Sequence, residues 1–166
     1  MEKEDIEIII LGRGGQGSVI ASQLLALAAF YQGFESQAFP TFGMERRGAP
    51  VRSFVRISKK PILTRAEVEF PDFEIVLDSN LSKTEKINAK QIFVNSTRPI
   101  KNCQTFDATS IALKIFQKDI TNIAMIAFFL KNIRIIKREN LIKACKEIFS
   151  GSILEKNIQI IDLIWR

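Results

Sequence analysis

The feature that most constrains this chain is an apolar run that ends in a glycine-rich turn. The run, residues 6–11, is mostly β-branched, which is typical of a strand covered on both faces. Four glycines follow it: Gly12, Gly14, Gly15 and Gly17. Three of them, Gly12, Gly14 and Gly17, satisfy the pattern G-x-G-x-x-G. Residues 18–31 then place apolar side chains at helical spacing. Strand, turn and helix in this order are the context that the pattern needs before it indicates binding.

A turn of this kind is suited to an anion. Glycines adopt positive φ readily and leave no Cβ between the backbone and a ligand. The first N–H groups of a helix have no partner within it, and the helix dipole favours negative charge there. The sequence therefore predicts that the amides of residues 14–18 bind a phosphate or carboxylate. The alternative is a tight turn that binds nothing, and the surrounding strand and helix favour the anion site.

The second predicted strand argues against an ordinary NAD site. It spans residues 34–39, and a dinucleotide-binding unit would carry an acid at its end to hold the ribose hydroxyls. No acid lies between Ala38 and Gly43, and Glu35 stands at the start of the strand instead.

A basic stretch follows, with seven basic and no acidic residues between Arg46 and Arg65. Arg46 and Arg47 lie in a loop rich in glycine and proline, after the second strand. Ligands of open α/β sheets collect outside the carboxyl ends of the strands, and the arginine fork suits phosphate. We therefore predict a two-part anion clamp, formed by the turn amides and these two arginines. Lys59, Lys60 and Arg65 are interpreted as a solvated face.

Composition excludes several kinds of site. The chain has no histidine, so the commonest general base and metal ligand are missing. Two cysteines, Cys103 and Cys145, are too few for a zinc or iron–sulfur site and do not suggest a disulfide framework. We expect no metal and no catalytic residue on this chain. The net charge of +6 indicates an anionic partner.

Length and hydropathy predict one domain over residues 1–166, located in the cytoplasm. The charged start runs directly into a strand, so no signal peptide is expected. The longest apolar run, residues 123–130, is too short to span a bilayer.

The rest of the chain alternates strands and helices. An alternating segment at residues 51–57 predicts a strand with one buried and one polar face, and residues 62–63 a short return strand. Further strands are predicted at 73–78, 91–95 and 104–106, and helices at 108–118, 122–131, 137–149 and 153–165. This order predicts an α/β fold with a mostly parallel sheet flanked by helices and a β-ribbon excursion near residues 50–65. The helix at 122–131 is apolar on nearly every side, which indicates that the core or a partner covers it.

Several segments together resemble one protein family. The segments are Gly12 to Gly17, Ala38 to Gly43, Glu45 to Val51, and Val55 to Ser58 with Pro61-Ile62. Asp72 with residues 76–78, and residues 107–109 with 111–112, fit later parts of the pattern, and Asn122, Ala124 and Met125 fit more loosely. They resemble the gamma subunit of 2-oxoacid:ferredoxin oxidoreductases, nearest to the pyruvate and 2-ketoisovalerate enzymes. The likeness is strongest over residues 6–62 and thin after about residue 125.

The resemblance implies a Rossmann-like domain that supports coenzyme A-dependent oxidative decarboxylation of a 2-oxoacid within a larger complex. It implies that thiamine diphosphate and iron–sulfur clusters lie on alpha, beta and delta-type partner subunits, and that electrons pass to ferredoxin. Carried over by position, the residues associated with coenzyme A are Gly12, Gly14, Gly15, Gln16, Gly17, Arg46 and Arg47. The isolated chain is expected to be inactive, with no nucleic acid or membrane partner.

Three alternatives remain open. The small subunit of indolepyruvate:ferredoxin oxidoreductase shares the glycine turn, although the arginine loop favours the pyruvate type. A free-standing nucleotide- or coenzyme A-binding module would use the same crevice. A nucleic-acid-binding domain ranks last, because the basic loop carries no aromatic platform and no known binding motif.

Overall fold

A computed structural model describes residues 5–41, 48–85 and 88–166 of the chain. The strands are β1 (Asp5–Arg13), β2 (Glu35–Pro40), β3 (Pro50–Ser58), β4 (Phe73–Val76), β5 (Gln91–Asn95) and β6 (Gln104–Phe106). The helices are α1 (Ser18–Tyr31), α2 (Leu81–Thr84), α3 (Ala108–Phe116), α4 (Asn122–Ile133), α5 (Arg138–Ile148) and α6 (Gly151–Trp165). The predicted strand, turn and helix at the start of the chain are confirmed.

The strands form a mixed sheet in the order β2-β3-β1-β4-β5-β6. The strands β1, β4, β5 and β6 pair in parallel, and β3 runs antiparallel between β1 and β2. The predicted α/β class is therefore confirmed. The β-ribbon excursion is wrong, because β3 belongs to the sheet itself and residues 61–68 form no strand. After Lys59-Lys60-Pro61 the chain instead crosses one sheet face, where Val68 packs with Ile9 and Phe54.

The apolar run of β1 is covered on both faces, as predicted. Ile8 and Ile10 join a large cluster with residues of α1, α4, α5 and α6. Ile9 and Leu11 point to the opposite face and belong to two smaller clusters, under Val68 and under Leu81 of α2. The apolar run of β1 is stable here because each face has its own covering layer.

The predicted polar face of β3 is wrong. Arg56 is only 3% exposed, and its guanidinium donates to the Glu7 carboxylate at 3.0 Å and to the Ala66 carbonyl at 2.7 Å. Buried charges require such partners, since an unpaired charge would lose its solvation without replacement. Arg56 is therefore a paired side chain beneath the crossing segment, and Arg52 on the same face pairs with Glu85 at 3.3 Å.

The apolar helix α4 is covered by the chain's own core. Residues 123–127 and 129–130 are at most 1% exposed, and they pack in the large cluster. The expectation that α4 needs a partner to cover it therefore loses its basis. Within the described ranges, no helix is long and apolar enough to cross a membrane.

Candidate functional site

The candidate site lies at the sheet edge where the parallel strands end. β1 finishes at Arg13, the turn occupies residues 14–17, and α1 begins at Ser18 with Gly17 as its N-cap. The neighbouring strand β4 ends at the same edge and is followed by Asp78. Ligands of open α/β sheets collect outside this edge.

The side chain of Gln16 closes the glycine turn. Its Oε1 accepts from the Arg13 amide at 2.7 Å, and the Gln16 amide donates to the Arg13 carbonyl at 2.9 Å. The amide group of the side chain therefore has a structural role, because it fixes the loop between the end of β1 and the start of α1.

The start of β3 is bonded directly to the turn. The Gly14 amide donates to the Ala49 carbonyl at 2.9 Å, and the Gly48 amide donates to the Gly14 carbonyl at 3.4 Å. The Arg13 side chain adds a third link, since Nη1 donates to the Gly48 carbonyl at 3.1 Å. Arg46 and Arg47 themselves lie outside the described residues.

Arg13 also joins the turn to the end of β4. Its Nε donates to Asp78 Oδ2 at 2.6 Å, and the carboxylate accepts a second bond from the Asn80 amide at 2.9 Å. Partial burial acts to raise the pKa of Asp78, but the hydrogen bonds and the positive charge of Arg13 outweigh it and hold that pKa below its usual value. Asp78 is thus ionised at neutral pH and anchors the arginine.

Two turn glycines meet different surroundings. Gly17 has φ 81°, and a Cβ there would lie 2.4 Å from Nδ2 of Asn122 on α4. Gly15 has φ 96°, and a Cβ there would meet no described atom within 4 Å. Gly17 is therefore required for close packing against α4, whereas the described part of the chain leaves room for a ligand at Gly15.

The first amides of α1 are available for an anion. Among the described residues, the N–H groups of Ser18, Val19 and Ile20 have no hydrogen-bond acceptor, and no side chain caps the helix. The predicted donor set is corrected in one respect. The Gly14 and Gln16 amides already donate within the turn and to β3, so the donors shift towards the helix. This arrangement can hold one anionic group without a metal.

The matching family model decides the classification. The model for pyruvate ferredoxin/flavodoxin oxidoreductase matches residues 7–165. The chain belongs to the pyruvate ferredoxin/flavodoxin oxidoreductase family. The match includes the turn, the start of β3 and all of the later helices.

Relatives in this oxidoreductase family are gamma-type subunits of nearly the same length. The chain is 40% identical to the Pyruvate/ketoisovalerate oxidoreductases common subunit gamma of Pyrococcus abyssi, over 92% of this chain and 91% of that protein. It is 41% identical to the Pyruvate synthase subunit PorC of Methanothermobacter marburgensis, over 93% of this chain and 92% of that protein. The predicted gamma-type subunit of a 2-oxoacid:ferredoxin oxidoreductase is confirmed.

Solved structures agree with the fold of this oxidoreductase family. The pyruvate oxidoreductase subunit PORC of Thermotoga maritima matches with a TM-score of 0.82 and 30% identity, over 98% of this chain and 96% of that one. The 2-oxoglutarate:ferredoxin oxidoreductase of Magnetococcus marinus matches 98% of this chain and 30% of its own, with a TM-score of 0.72 and 17% identity. The latter likeness concerns the fold alone.

Sequence reasoning found the turn of this family member but missed the residues that support it. Arg13, Asp78 and Asn122 all contact the turn or its flanking strand. Asp78 carried a signal, because it follows an apolar strand that runs parallel to β1. Nothing in the sequence indicated that Asn122 lies at the turn, since it is 105 residues from Gly17 and only the packing of α4 on α1 brings the two together.

Proposed function

We propose that this chain is the subunit that binds coenzyme A in a pyruvate-type 2-oxoacid:ferredoxin oxidoreductase. The observation that carries the proposal is the set of amides opening α1 that have no acceptor among residues 5–41, 48–85 and 88–166, beside Gly15, where a Cβ would meet none of those residues within 4 Å. Coenzyme A presents phosphate groups, which such amides and the positive end of a helix bind. Relatives named as pyruvate and ketoisovalerate oxidoreductase subunits support the substrate class. The Magnetococcus marinus enzyme, solved with coenzyme A and succinyl-CoA bound, supports the acyl acceptor.

The predicted site residues divide into two roles within this proposal. Gly12, Gly17 and Gln16 shape the turn, since Gly12 packs on Leu77, Gly17 packs on Asn122 and Gln16 holds Arg13. Gly15 has no described atom within 4 Å of a Cβ built on it, which leaves room for the phosphate beside the turn. Gly14 joins the turn to residues 48–49 through its backbone. Arg46 and Arg47 complete the clamp in this proposal. They directly precede Gly48 in the chain, and the Gly48 amide donates to the Gly14 carbonyl of the turn.

Chemistry at the oxoacid belongs to other chains in this proposal. Thiamine diphosphate and the iron–sulfur clusters lie on alpha, beta and delta-type subunits, and ferredoxin accepts the electrons from the complex. Residues 1–166 form one cytoplasmic domain that positions the acyl acceptor and is inactive alone. Native purification tests this composition. Isolation of the chain with thiamine- and cluster-bearing subunits is expected, whereas a chain that purifies alone from its native source would favour a free-standing binding module.

Alanine variants of the two loop arginines test the clamp. A charge-assisted hydrogen bond contributes about 1.5–3 kcal/mol, so Arg46→Ala or Arg47→Ala should raise the requirement for coenzyme A roughly tenfold to a hundredfold in the assembled complex. Lysine should rescue only in part, because it keeps the charge and loses the planar fork. Decarboxylation of the oxoacid without an acyl acceptor should be unchanged.

Arg65→Ala is the matched control, since Arg65 is an exposed arginine of the same basic stretch. It should leave the coenzyme A requirement at the wild-type value. If the Arg46 and Arg47 variants keep that requirement but fail to assemble, the loop is a subunit interface and the phosphate clamp is wrong.

An indolepyruvate enzyme would instead be recognised by turnover of aryl pyruvates in preference to pyruvate.

A further inference from the structure

A cavity of about 430 Å³ lies among the helices beside the turn. Its lining includes Ile20 of α1, Asn122 of α4 and Ser152 of α6, each within the first three residues of its helix. Its volume is in the range of small-molecule sites, about 300–1,000 Å³.

A buried amide without a partner lines this cavity. Asn157 is 2% exposed, and its buried Oδ1 accepts no hydrogen bond from the described residues. An unsatisfied buried amide costs free energy, and native proteins retain such groups at few positions. A ligand in the cavity would supply the missing partner.

The same cavity carries positive charge. Lys118 and Lys156 both line it, and neither forms an ion pair with the described part of the chain. The amides of Gly151, Ser152 and Ile153, which open α6, have no acceptor among the described residues, and no side chain caps this helix. One end of the cavity is therefore suited to an anionic group.

The remaining wall is apolar and partly open to solvent. Phe116, Ile123 and Phe149 line the interior. Ile20, Ile120 and Ile153 are 39%, 36% and 53% exposed and also line the cavity. Exposed isoleucines beside lysines and a buried amide indicate a site for a ligand with an apolar part and a charged head group.

We propose that this cavity binds a small amphipathic anion, an apolar chain or ring that ends in a carboxylate or phosphate. The head group contacts Lys118, Lys156 and the start of α6, and the Asn157 amide bonds to a polar atom of the ligand. The site does not depend on the coenzyme A proposal, because its polar groups are Lys118 in the loop before α4, Lys156 and Asn157 of α6 and the first amides of α6, rather than the turn amides or the arginine loop.

Calorimetric titration of the full chain tests this site, with octanoate and octyl phosphate as probes. Saturable binding of one equivalent of either probe is expected, and the stronger one identifies the head group. Octanol, which has the chain without the charge, should bind at least about tenfold more weakly if one charge-assisted bond is lost. No saturable binding of either anion, or equal binding of octanol, would overturn the proposal.

Paired lysine variants locate the charge. The double variant Lys118→Ala/Lys156→Ala should weaken probe binding about tenfold or more. Lys114→Ala/Lys146→Ala removes the same charge from exposed positions that do not line the cavity, and should leave binding unchanged. Equal weakening by both pairs would indicate attraction to net charge alone and would contradict a built site.

Asn157→Leu separates a binding role from a structural one. Leucine is similar in size and has no polar atom to leave unsatisfied, so resistance to urea should be kept or increased. Probe binding should fall about threefold to tenfold, since one neutral hydrogen bond is lost. Loss of stability together with unchanged probe binding would show that the amide serves the fold and would overturn its part in the site. Coenzyme A titration of the same variants distinguishes the two proposals, because the turn site should be unaffected.

Discussion

At the scale of single residues, position 17 requires glycine for two reasons, a positive φ and the lack of space for a Cβ. Its φ of 81° is strained for L-residues, and a Cβ would lie 2.4 Å from Asn122 Nδ2. We expect Gly17→Ala to lower the free energy of unfolding by about 1–2 kcal/mol for the conformation and roughly 1–3 kcal/mol for the crowding. Urea denaturation measures this loss.

Gly33 provides the matched control for Gly17. It has φ 97°, and a Cβ there meets no described atom within 4 Å, so Gly33→Ala carries only the conformational cost. Asn122→Ala should recover part of the loss when it is combined with Gly17→Ala. Equal losses for both glycines, without recovery, would show that contact with α4 does not matter at the turn.

The ion pair between Arg13 and Asp78 predicts a dependence on pH. The pKa of Asp78 is lowered in the fold, so its contribution to stability is present above the unfolded value near 3.8 and is lost as the pH falls through the folded value. Asp78→Asn should therefore be less stable than wild type at pH 7, by about 1 kcal/mol because the pair is partly exposed.

The difference between Asp78→Asn and wild type should vanish in acid, below the folded pKa. Lys90→Ala is a suitable comparison, since Lys90 pairs with Asp72 but is 70% exposed, and its removal should cost less. A difference that stays constant from pH 7 to pH 3 would mean that the Asp78 charge does not support the turn.

At the scale of elements, β4 carries a carboxyl group whose surroundings favour the protonated form. Glu74 is 1% exposed, and its Oε1 has no hydrogen-bond partner in the structure. Burial raises the pKa of Glu74 to about 7, although the charge of Arg52 and the Asn88 amide act in the opposite direction. The folded state therefore favours the protonated acid.

Stability should consequently fall as the pH rises from about 4.5, the unfolded value, through about 7. Glu74→Gln cannot ionise, so its advantage over wild type should grow with pH and level off above pH 7, at no more than about 3 kcal/mol. Urea denaturation of both proteins between pH 5 and pH 8 measures the trend. Two parallel pH profiles would show that Glu74 is not protonated by the fold.

Elements with local signals could be predicted from the sequence, and elements fixed by long-range pairing could not. The bounds of α1 followed from its apolar spacing and the preceding glycines. The antiparallel place of β3 depends on pairing with Asp5–Arg13 and with Glu35–Pro40, which no local pattern encodes. Its arginines suggested a polar face, because sequence alone did not reveal that Arg56 bonds to Ala66 of the crossing segment and that Arg52 pairs with Glu85.

At the scale of the whole molecule, the candidate site is assembled from distant parts of the chain. The turn was predictable, since its glycines, strand and helix adjoin in sequence. Its supports come from residues 48–49, 78 and 122, and only the sheet order and the packing of α4 bring them to one edge. The order β3-β1-β4 explains why residues 48–49, at the start of β3, and the turn share that edge.

Hydrogen–deuterium exchange of the assembled complex tests the clamp most directly. The amides of Ser18, Val19 and Ile20 lack acceptors among the described residues, so they should exchange rapidly without ligand. Saturating coenzyme A should slow exchange in peptides covering residues 14–20, whereas a peptide from the interior of α5 should be unchanged. If turnover saturates with coenzyme A while exchange at residues 14–20 stays at its ligand-free rate, the ligand does not bind at the glycine turn.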